Sequence, residues 1–184
     1  MSGNIVLASA SPRRSELLQS VGLKLDILPR SIDETPHSGE PPVSFAERMA
    51  SEKAAHVSSY VIAADTVVHL GDIKLGKPDS VERAIEMLTM LSGRGHYVTT
   101  GVCMGPLSQR VTFSVTTEVF FRRLSNSEIE RYVLTLDPMD KAGAYGIQSG
   151  ASGFVERIIG SYTNVVGLPL AQVVARLQDD GRME

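Results

Sequence analysis

The run YVIAADTVVHL, from Tyr60 to Leu70, constrains the fold more than any other stretch of the chain. It is apolar and rich in Val and Ile, which predicts a strand. Asp65 and Thr66 stand in its middle, where a core strand would carry two more aliphatic residues. A buried carboxylate is costly unless it is paired or coordinates a cation. Asp65 therefore either ends the strand early and caps a turn, or is delivered by the strand to a reaction centre.

The composition is that of a globular protein with a sizeable core, since 42% of the 184 residues are hydrophobic and 21% are charged. The net charge of -3 argues against nucleic-acid binding, so a local cluster of Lys and Arg has to hold any anionic partner. Cys103 is the one cysteine, which excludes an intrachain disulfide, and we expect a buried, inert thiol. The chain shows no signal-peptide pattern and no run of about 18 apolar residues, so we expect a cytoplasmic protein without a membrane partner.

Local signals predict six strands and five helices. The predicted strands are Ile5 to Ala8, Leu25 to Leu28, Tyr60 to Leu70, His96 to Met104, Arg110 to Arg123 and Phe154 to Ile159. The predicted helices run from Ser11-Pro12 to Gly22, from the capping box Ser44–Glu47 to about Val57, from Val81 to Leu91 after the Asp79-Ser80 cap, from the capping box Ser125–Glu128 to about Leu136, and onward from Pro169. Pro29 to Pro42 is a predicted loop, and Leu70 to Ile73 a hairpin turn. Strands and helices do not alternate strictly along the chain, which favours an α/β fold with a mixed, twisted sheet flanked by helices.

The segment ASASPRRSELL predicts an anion site at the start of the first helix. Arg13 and Arg14 fall in its first turn, and Ser9 and Ser11 flank the turn before it. Unpaired N–H groups give a helix N-terminus partial positive charge, so two arginines there are unfavourable unless something negative joins them. Solvated surface arginines are the alternative, but the serines and guanidiniums together favour a phosphate site.

Other charged residues give weaker signals one by one. Glu34 lies in an irregular loop, where solvated turn residues are usual, and Lys53 stands among alanines on a helix, where a surface lysine is usual. Lys77, between Gly and Pro, can present a point charge to phosphate. Together with Asp65, these cations and carboxylates suit a nucleoside triphosphate and a divalent metal ion, Mg²⁺ or Mn²⁺.

The segment DKAGAYGIQSGASGF, from Asp140 to Phe154, is crowded with glycine, which allows a ligand to approach the backbone closely. Tyr145 and Ile147 favour a packed segment over the flexible loop that glycines alone indicate. The amide of Gln148 both donates and accepts, so it can read the edge of a nucleobase. The four histidines have no metal-ligand spacing, and we expect them to be structural or exposed.

The order of motifs along nearly the whole chain resembles the Maf family of nucleotide pyrophosphatases. The motifs are LASASPRRSELL, IDE, AADTVV, GKP, LSGRGHYVTTGV, DKAGAYGIQ and SYTNVVGLPL. The resemblance implies a single domain over residues 1–184, with two lobes around a central cleft as in Maf and ITPase-like proteins, and often a homodimer. It also implies hydrolysis of a nucleoside triphosphate to the monophosphate and pyrophosphate, with a divalent cation.

Ala-Ala-Asp-Thr together with Tyr-Gly-Ile-Gln resembles the members that act on dTTP and UTP, whereas members acting on 7-methyl-GTP typically have Ser-Asp-Gln at this strand. This likeness implies that Asp65 accepts the proton of the attacking water. The alternatives are the same chemistry on another base, a general phosphatase, and a non-catalytic nucleotide-binding regulator of cell division. The other implied roles are specificity for Arg13, Thr66 and Gln148, phosphate binding for Ser9, Arg14, Lys53 and Lys77, and metal binding for Glu34 with Asp65.

Overall fold

The central strand β3, Val61–Leu70, runs unbroken through Asp65 and Thr66, so Asp65 does not cap a turn. In the computed structural model, which describes residues 4–183, seven strands form one sheet in the order β2-β1-β3-β5-β6-β7, and β4 pairs with β3. The remaining strands are β1 Ile5–Leu7, β2 Leu25–Ile27, β4 Ile73–Leu75, β5 Gly95–Gly105, β6 Val111–Phe121 and β7 Val155–Ile159.

The sheet is mixed, as the sequence predicts. β1 pairs in parallel with β2 and with β3, in registers that place Ile5 beside Leu25 and Val6 beside Val61. β4 is antiparallel to β3, and β7 is antiparallel to β6.

The helices are α1 Pro12–Ser20, α2 Pro42–Ala54, α3 Val81–Leu91, α4 Asn126–Val133, α5 Tyr162–Val166 and α6 Leu170–Asp179. Short 3-10 helices cover Asp137–Asp140, Ala142–Ala144 and Gly150–Phe154. α5 was not predicted, because five residues are too few to show a periodic pattern. Between residues 4 and 183, no helix is long and apolar enough to span a bilayer.

The predicted start of α2 is wrong. The helix begins at Pro42 rather than Ser44, and Pro41 takes the N-cap position without a side-chain hydrogen bond. Proline suits the first helical position because its φ is already fixed near the helical value. Glu47 consequently makes no capping box, and its carboxylate accepts a hydrogen bond from the Ser114 hydroxyl at 2.7 Å.

The predicted ends of two helices are also wrong. α2 stops at Ala54, short of Val57, because Ala55 turns to an extended conformation and His56 has a φ of +62°. α4 stops at Val133, short of Leu136, because Leu136 has a φ of +61°. The other helix starts are confirmed: Ser80 and Ser125 cap α3 and α4 with their side chains, while Ser11 takes the N-cap position of α1 without a side-chain bond.

The chain divides into two units, in agreement with the two lobes expected. The first contains the residues up to Thr66, Thr100–Val115 and the residues from Gly167 onward. The second contains Val67–Thr99 and Thr116–Val166.

Two hydrophobic clusters form the core of the first unit, and successive residues of β3 alternate between them. Ile62 and Ala64 lie in a cluster with residues of α1 and α6, among them Leu18 and Val173. Val61 and Ala63 lie in the other cluster, with residues of α2 and the buried Cys103, which is 2% exposed. Extending this alternation by two residues directs Asp65 toward α2 and Thr66 toward α1.

α2 packs directly against the backbone of β5. A Cβ atom built at Gly101 would lie 2.3 Å from the carbonyl oxygen of Ala46, closer than two such atoms can approach. This contact, together with Ala50 and Ala54, brings the helix axis close to the sheet. Lys53, in the last turn of α2, is therefore held at a fixed height over the strands.

The core of the second unit is built around a buried histidine. His96 is fully buried, its ring meets Phe121 and Tyr145 edge-on, and its Nε2 lies 2.8 Å from the Tyr145 hydroxyl. Phe154 packs against Phe121 at a centroid distance of 6.0 Å. The glycine-rich segment is thus packed, as predicted, and His96 is structural.

The buried His96 is expected to make the protein sensitive to acid. Burial is the main cause that lowers the pKa of His96 to about 4 from the ordinary 6.5, and the nearby His69 adds to the shift. The folded state then binds fewer protons than the unfolded state in this pH range. The contribution of neutral His96 to stability is therefore present above about pH 6.5 and is lost as the pH falls toward 4. The free energy of unfolding should fall by about 3 kcal/mol from this residue between pH 7 and pH 4.

Urea unfolding of the wild type, His96→Asn and the exposed-residue control His37→Asn across this pH range measures the effect. The His96→Asn variant should show a flatter pH dependence than the other two proteins. Parallel pH dependences for all three would contradict the assignment.

Candidate functional site

A lysine and two carboxylates converge in the first unit. Lys53 Nζ lies 2.6 Å from Asp65 Oδ1 and 2.7 Å from Glu34 Oε1. The side chains of Lys53 and Asp65 are only 11% and 14% exposed, whereas Glu34 is 55% exposed. α2 presents the lysine, β3 presents Asp65, and the long loop after β2 presents Glu34. The carboxylate inside the apolar strand is therefore compensated by a partner, as its burial demands.

Arg14 forms a second cluster, on the side of β3 that faces α1. Its Nε donates to the Gly167 carbonyl at 2.8 Å, its Nη1 to Ser9 Oγ at 3.0 Å, and its Nη2 to Thr66 Oγ1 at 3.0 Å. Burial lowers the pKa of Arg14, and the negative charges of Asp65 and Glu34 oppose that shift. An arginine stays protonated under these conditions, so the three acceptors hold a charged group.

The Thr66 hydroxyl is engaged inside the protein. Besides accepting from Arg14, it shares a 2.9 Å hydrogen bond with the Thr100 hydroxyl and lies 3.5 Å from the Gly167 carbonyl. Thr100 is fully buried and carried no predicted role, although its motif, VTTGV, was among those that carried the resemblance. A buried threonine inside a strand gives no sequence signal that separates it from an ordinary core residue.

Arg13 and Arg14 are adjacent but differ in their contacts. Arg13 is half-buried and, within residues 4–183, makes no hydrogen bond or ion pair with another side chain. Its guanidinium thus remains available to a ligand. Ser9 is buried, with 6% of the residue exposed. Its Oγ accepts a hydrogen bond from Ser11 N at 3.2 Å and another from Arg14, so the hydroxyl proton of Ser9 can still be donated.

Arg48, which the sequence did not single out, holds the loop that carries Glu34. Its guanidinium donates to the Thr35 carbonyl at 3.1 Å and to both carboxylate oxygens of Glu40, at 2.7 and 2.8 Å. The hydrogen bond from Arg48 lowers the pKa of Glu40 to about 2. Because Arg48 and Lys53 share α2, one helix positions both the loop and the cation that Glu34 contacts.

Lys77 and Gln148 belong to the second unit, and their part in a site stays a prediction. Lys77 is exposed and follows Gly76, whose carbonyl accepts from Gly143 N at 3.0 Å. Gln148 is exposed between the buried Ile147 and the half-buried Ser149. The loop of Lys77 and the glycine-rich segment of Gln148 are therefore tied together by a backbone hydrogen bond.

A network around Asp137 holds the segment that presents Gln148. Tyr132 and Ser149 each donate to Asp137 Oδ2 at 2.6 Å, and Lys141 Nζ lies 3.0 Å from Asp137 Oδ1. Gly146 N donates to the Tyr132 hydroxyl at 3.2 Å. Of these anchors the sequence singled out only Lys141, as a polar group of the glycine-rich segment, and together they fix the backbone on both sides of Gln148.

The two carboxylates suit a divalent cation. Glu34 and Asp65 each direct one oxygen at the same point, which the Lys53 ammonium occupies. Mg²⁺ is typically held by one or two carboxylates, with waters and substrate phosphates completing its coordination. Over the part of the chain that the structure describes, no group of three or more His, Cys, Asp or Glu side chains could hold a metal ion. Such an ion would therefore need further ligands besides these two carboxylates.

The fold and these clusters define an α/β protein that gathers cationic and acidic side chains around its central strand. The same fold occurs in the solved structure of the Staphylococcus aureus Ham1 protein, with a TM-score of 0.55 over 97% of this chain and all of that chain, at 16% identity. This likeness confirms the predicted fold class. A family model described as Maf-like protein matches residues 4–180, and the chain belongs to the Maf family.

Curated relatives match over nearly their whole length. A dTTP/UTP pyrophosphatase of Anaeromyxobacter dehalogenans (strain 2CP-C) is 49% identical, over 98% of this chain and 96% of its own. One of Geobacter sulfurreducens is 46% identical over 98% of both chains, and one of Mesorhizobium japonicum is 46% identical over 96% of this chain and 91% of its own.

The unequal contacts of the two arginines predict unequal effects on stability. Arg14→Lys should lower the free energy of unfolding by about 2–3 kcal/mol, because a lysine cannot reach three acceptors and leaves buried oxygens without donors. Arg13→Lys, the adjacent matched control, should change it by less than about 0.5 kcal/mol. Chemical denaturation at neutral pH measures both, and equal losses would contradict the assigned roles.

Proposed function

We propose that this protein hydrolyses dTTP and UTP to the nucleoside monophosphate and pyrophosphate. The observation that carries the proposal is Asp65, a carboxylate delivered by the middle of a core strand and bound to an ammonium. The names of the curated relatives supply the substrate class and the reaction. The family match extends over both units, which supports one catalytic domain.

In the proposed reaction a water oxygen attacks the α-phosphorus, and the bond from the α-phosphorus to the oxygen bridging the α- and β-phosphorus breaks. Pyrophosphate leaves with that bridging oxygen. Asp65 accepts the proton of the water with its Oδ2 oxygen, because Oδ1 is the oxygen directed at the cation position. Arg13, Arg14, Lys53 and Lys77 stabilise charge on the phosphates, by the positioning and electrostatics that dominate phosphoryl chemistry.

A divalent cation, Mg²⁺ or Mn²⁺, is part of the proposal, and Glu34 and Asp65 would hold it. When bound, it supplies positive charge that neutralises the phosphate oxygens. Lys53 already draws the two carboxylates to one point, and Arg48 keeps the loop of Glu34 in place.

Base selection is assigned to Arg13, Thr66 and Gln148. Gln148 is exposed and can present its amide to a base edge. The Thr66 hydroxyl contacts Arg14 and Thr100, so Thr66 acts on selection through the orientation of Arg14. We also propose a cytoplasmic location, where triphosphates are made and used. The protein is further proposed to be a homodimer, and light scattering on the purified protein measures its oligomeric state.

Asp65→Asn should lower kcat about 10²- to 10⁴-fold, because an amide cannot accept the proton. Binding of a non-hydrolysable UTP analogue, measured by calorimetry, should persist. Asp72→Asn, an exposed aspartate at the turn after β3, is the matched control and should retain activity. Full activity of Asp65→Asn would remove Asp65 from the mechanism.

Product analysis tests the reaction class directly. The purified protein with Mg²⁺ or Mn²⁺ should release pyrophosphate, not orthophosphate, as the first product, and should prefer dTTP and UTP over 7-methyl-GTP, GTP and CTP. Orthophosphate release would indicate a general phosphatase, and preference for another triphosphate would change the assigned base. Nucleotide binding without turnover would indicate a non-catalytic regulator.

A further inference from the structure

The Lys53 ammonium occupies the position that the two candidate metal ligands share. Its Nζ contacts one oxygen of Asp65 and one of Glu34, at 2.6 and 2.7 Å. A magnesium ion would need these oxygens at about 2.0–2.1 Å and carries twice the charge of the ammonium. The ammonium and the metal therefore compete for the same oxygens and repel each other when close.

The two carboxylates that contact Lys53 are balanced by positive charge without a metal. Asp65 and Glu34 contribute two negative charges, and Lys53 with Arg14, which senses both carboxylates, contributes two positive charges. The cluster by itself thus has no excess negative charge to attract a divalent ion. A triphosphate supplies several negative charges at once and changes this balance.

Lys53 is suited to leave this position, whereas Asp65 is not. Asp65 belongs to a core strand, but the lysine ammonium ends a flexible four-carbon stem that starts in the last turn of α2. Glu34 belongs to a loop and is 55% exposed, so it stays accessible to solvent cations.

We propose that Lys53 is an exchangeable counter-cation that competes with the divalent ion and weakens its binding until the nucleotide arrives. In the nucleotide-free protein it neutralises Glu34 and Asp65. When a triphosphate binds, the ammonium moves to the phosphates and releases the two carboxylates, which would then hold the metal. The inference rests on the proposed function for the identity of the arriving anion, and it assigns Lys53 two successive partners.

Mn²⁺ binding to the full-length protein without nucleotide tests the exchange, with free Mn²⁺ measured by electron paramagnetic resonance. Lys53→Met should bind Mn²⁺ about tenfold more tightly than the wild type, because the competing charge is gone. Lys53→Arg, which keeps the charge, should bind Mn²⁺ as weakly as the wild type.

Arg13→Met is the matched control, since it removes one positive charge that does not contact the carboxylates. Its Mn²⁺ affinity should change by less than about threefold, as expected for a screened charge. Unchanged affinity in Lys53→Met, or equal tightening in Arg13→Met, would overturn the exchange.

Chemical labelling of the wild type decides the matter if Lys53→Met fails to fold. The side chain of Lys53 is only 11% exposed, and acylation of its amine, followed by mass spectrometry, should accelerate about threefold or more when millimolar Mn²⁺ releases it. An unchanged rate would overturn the proposal. Both assays omit nucleotide, so they fail or succeed independently of the pyrophosphatase activity, which the product analysis decides.

Discussion

The alternation of side chains along β3 determines how the first unit is organised. Neighbouring residues of a strand point to opposite faces, so Asp65 and Thr66 enter different clusters although they are adjacent. Asp65 meets Lys53 from α2, and Thr66 meets Arg14 from α1. The two small residues before them, Ala63 and Ala64, are fully buried, one in each core cluster. The strand therefore anchors itself with alanines and places one polar side chain on each face.

α2 holds the ion cluster of Lys53, Asp65 and Glu34 in place. Its contact with the backbone of Gly101 leaves no room for a larger residue, so the helix is fixed against the sheet. From this fixed helix, Lys53 reaches Asp65, and Arg48 holds the backbone beside Glu34. The loop that carries Glu34 contains no helix or strand. Its carboxylate nevertheless lies at a defined point, because Arg48 of α2 binds this loop at Thr35 and at Glu40.

Much of the fold could be predicted from the sequence because hydrophobic periodicity and caps act locally. The strand around Asp65 and the capping box of Ser125 are examples, and both are confirmed. The start of α2 could not be predicted from Ser44 because two start signals competed, and the proline pair prevailed.

Much less of the candidate site could be predicted, since its contacts join residues that are far apart in the chain. The apolar strand showed that Asp65 needs a partner, but not that Lys53 is that partner. The loop of Glu34 has no periodic pattern, so its ion pair with Lys53 depends on tertiary contacts alone. The carbonyl of Gly167, which accepts from Arg14, belongs to the backbone and leaves no side-chain signal.

In the proposed function, Arg14 both stabilises the fold and binds a phosphate. A guanidinium has five N–H groups, and the three contacts to Gly167, Ser9 and Thr66 use three of them, which leaves two. All three acceptors are neutral, so they orient the group without cancelling its charge. A cation that is already oriented loses little entropy when an anion binds, and its field favours charge that develops on a phosphate. The contacts with the guanidinium thus account for the polar residues Ser9, Thr66 and Thr100 in a region that is otherwise apolar core.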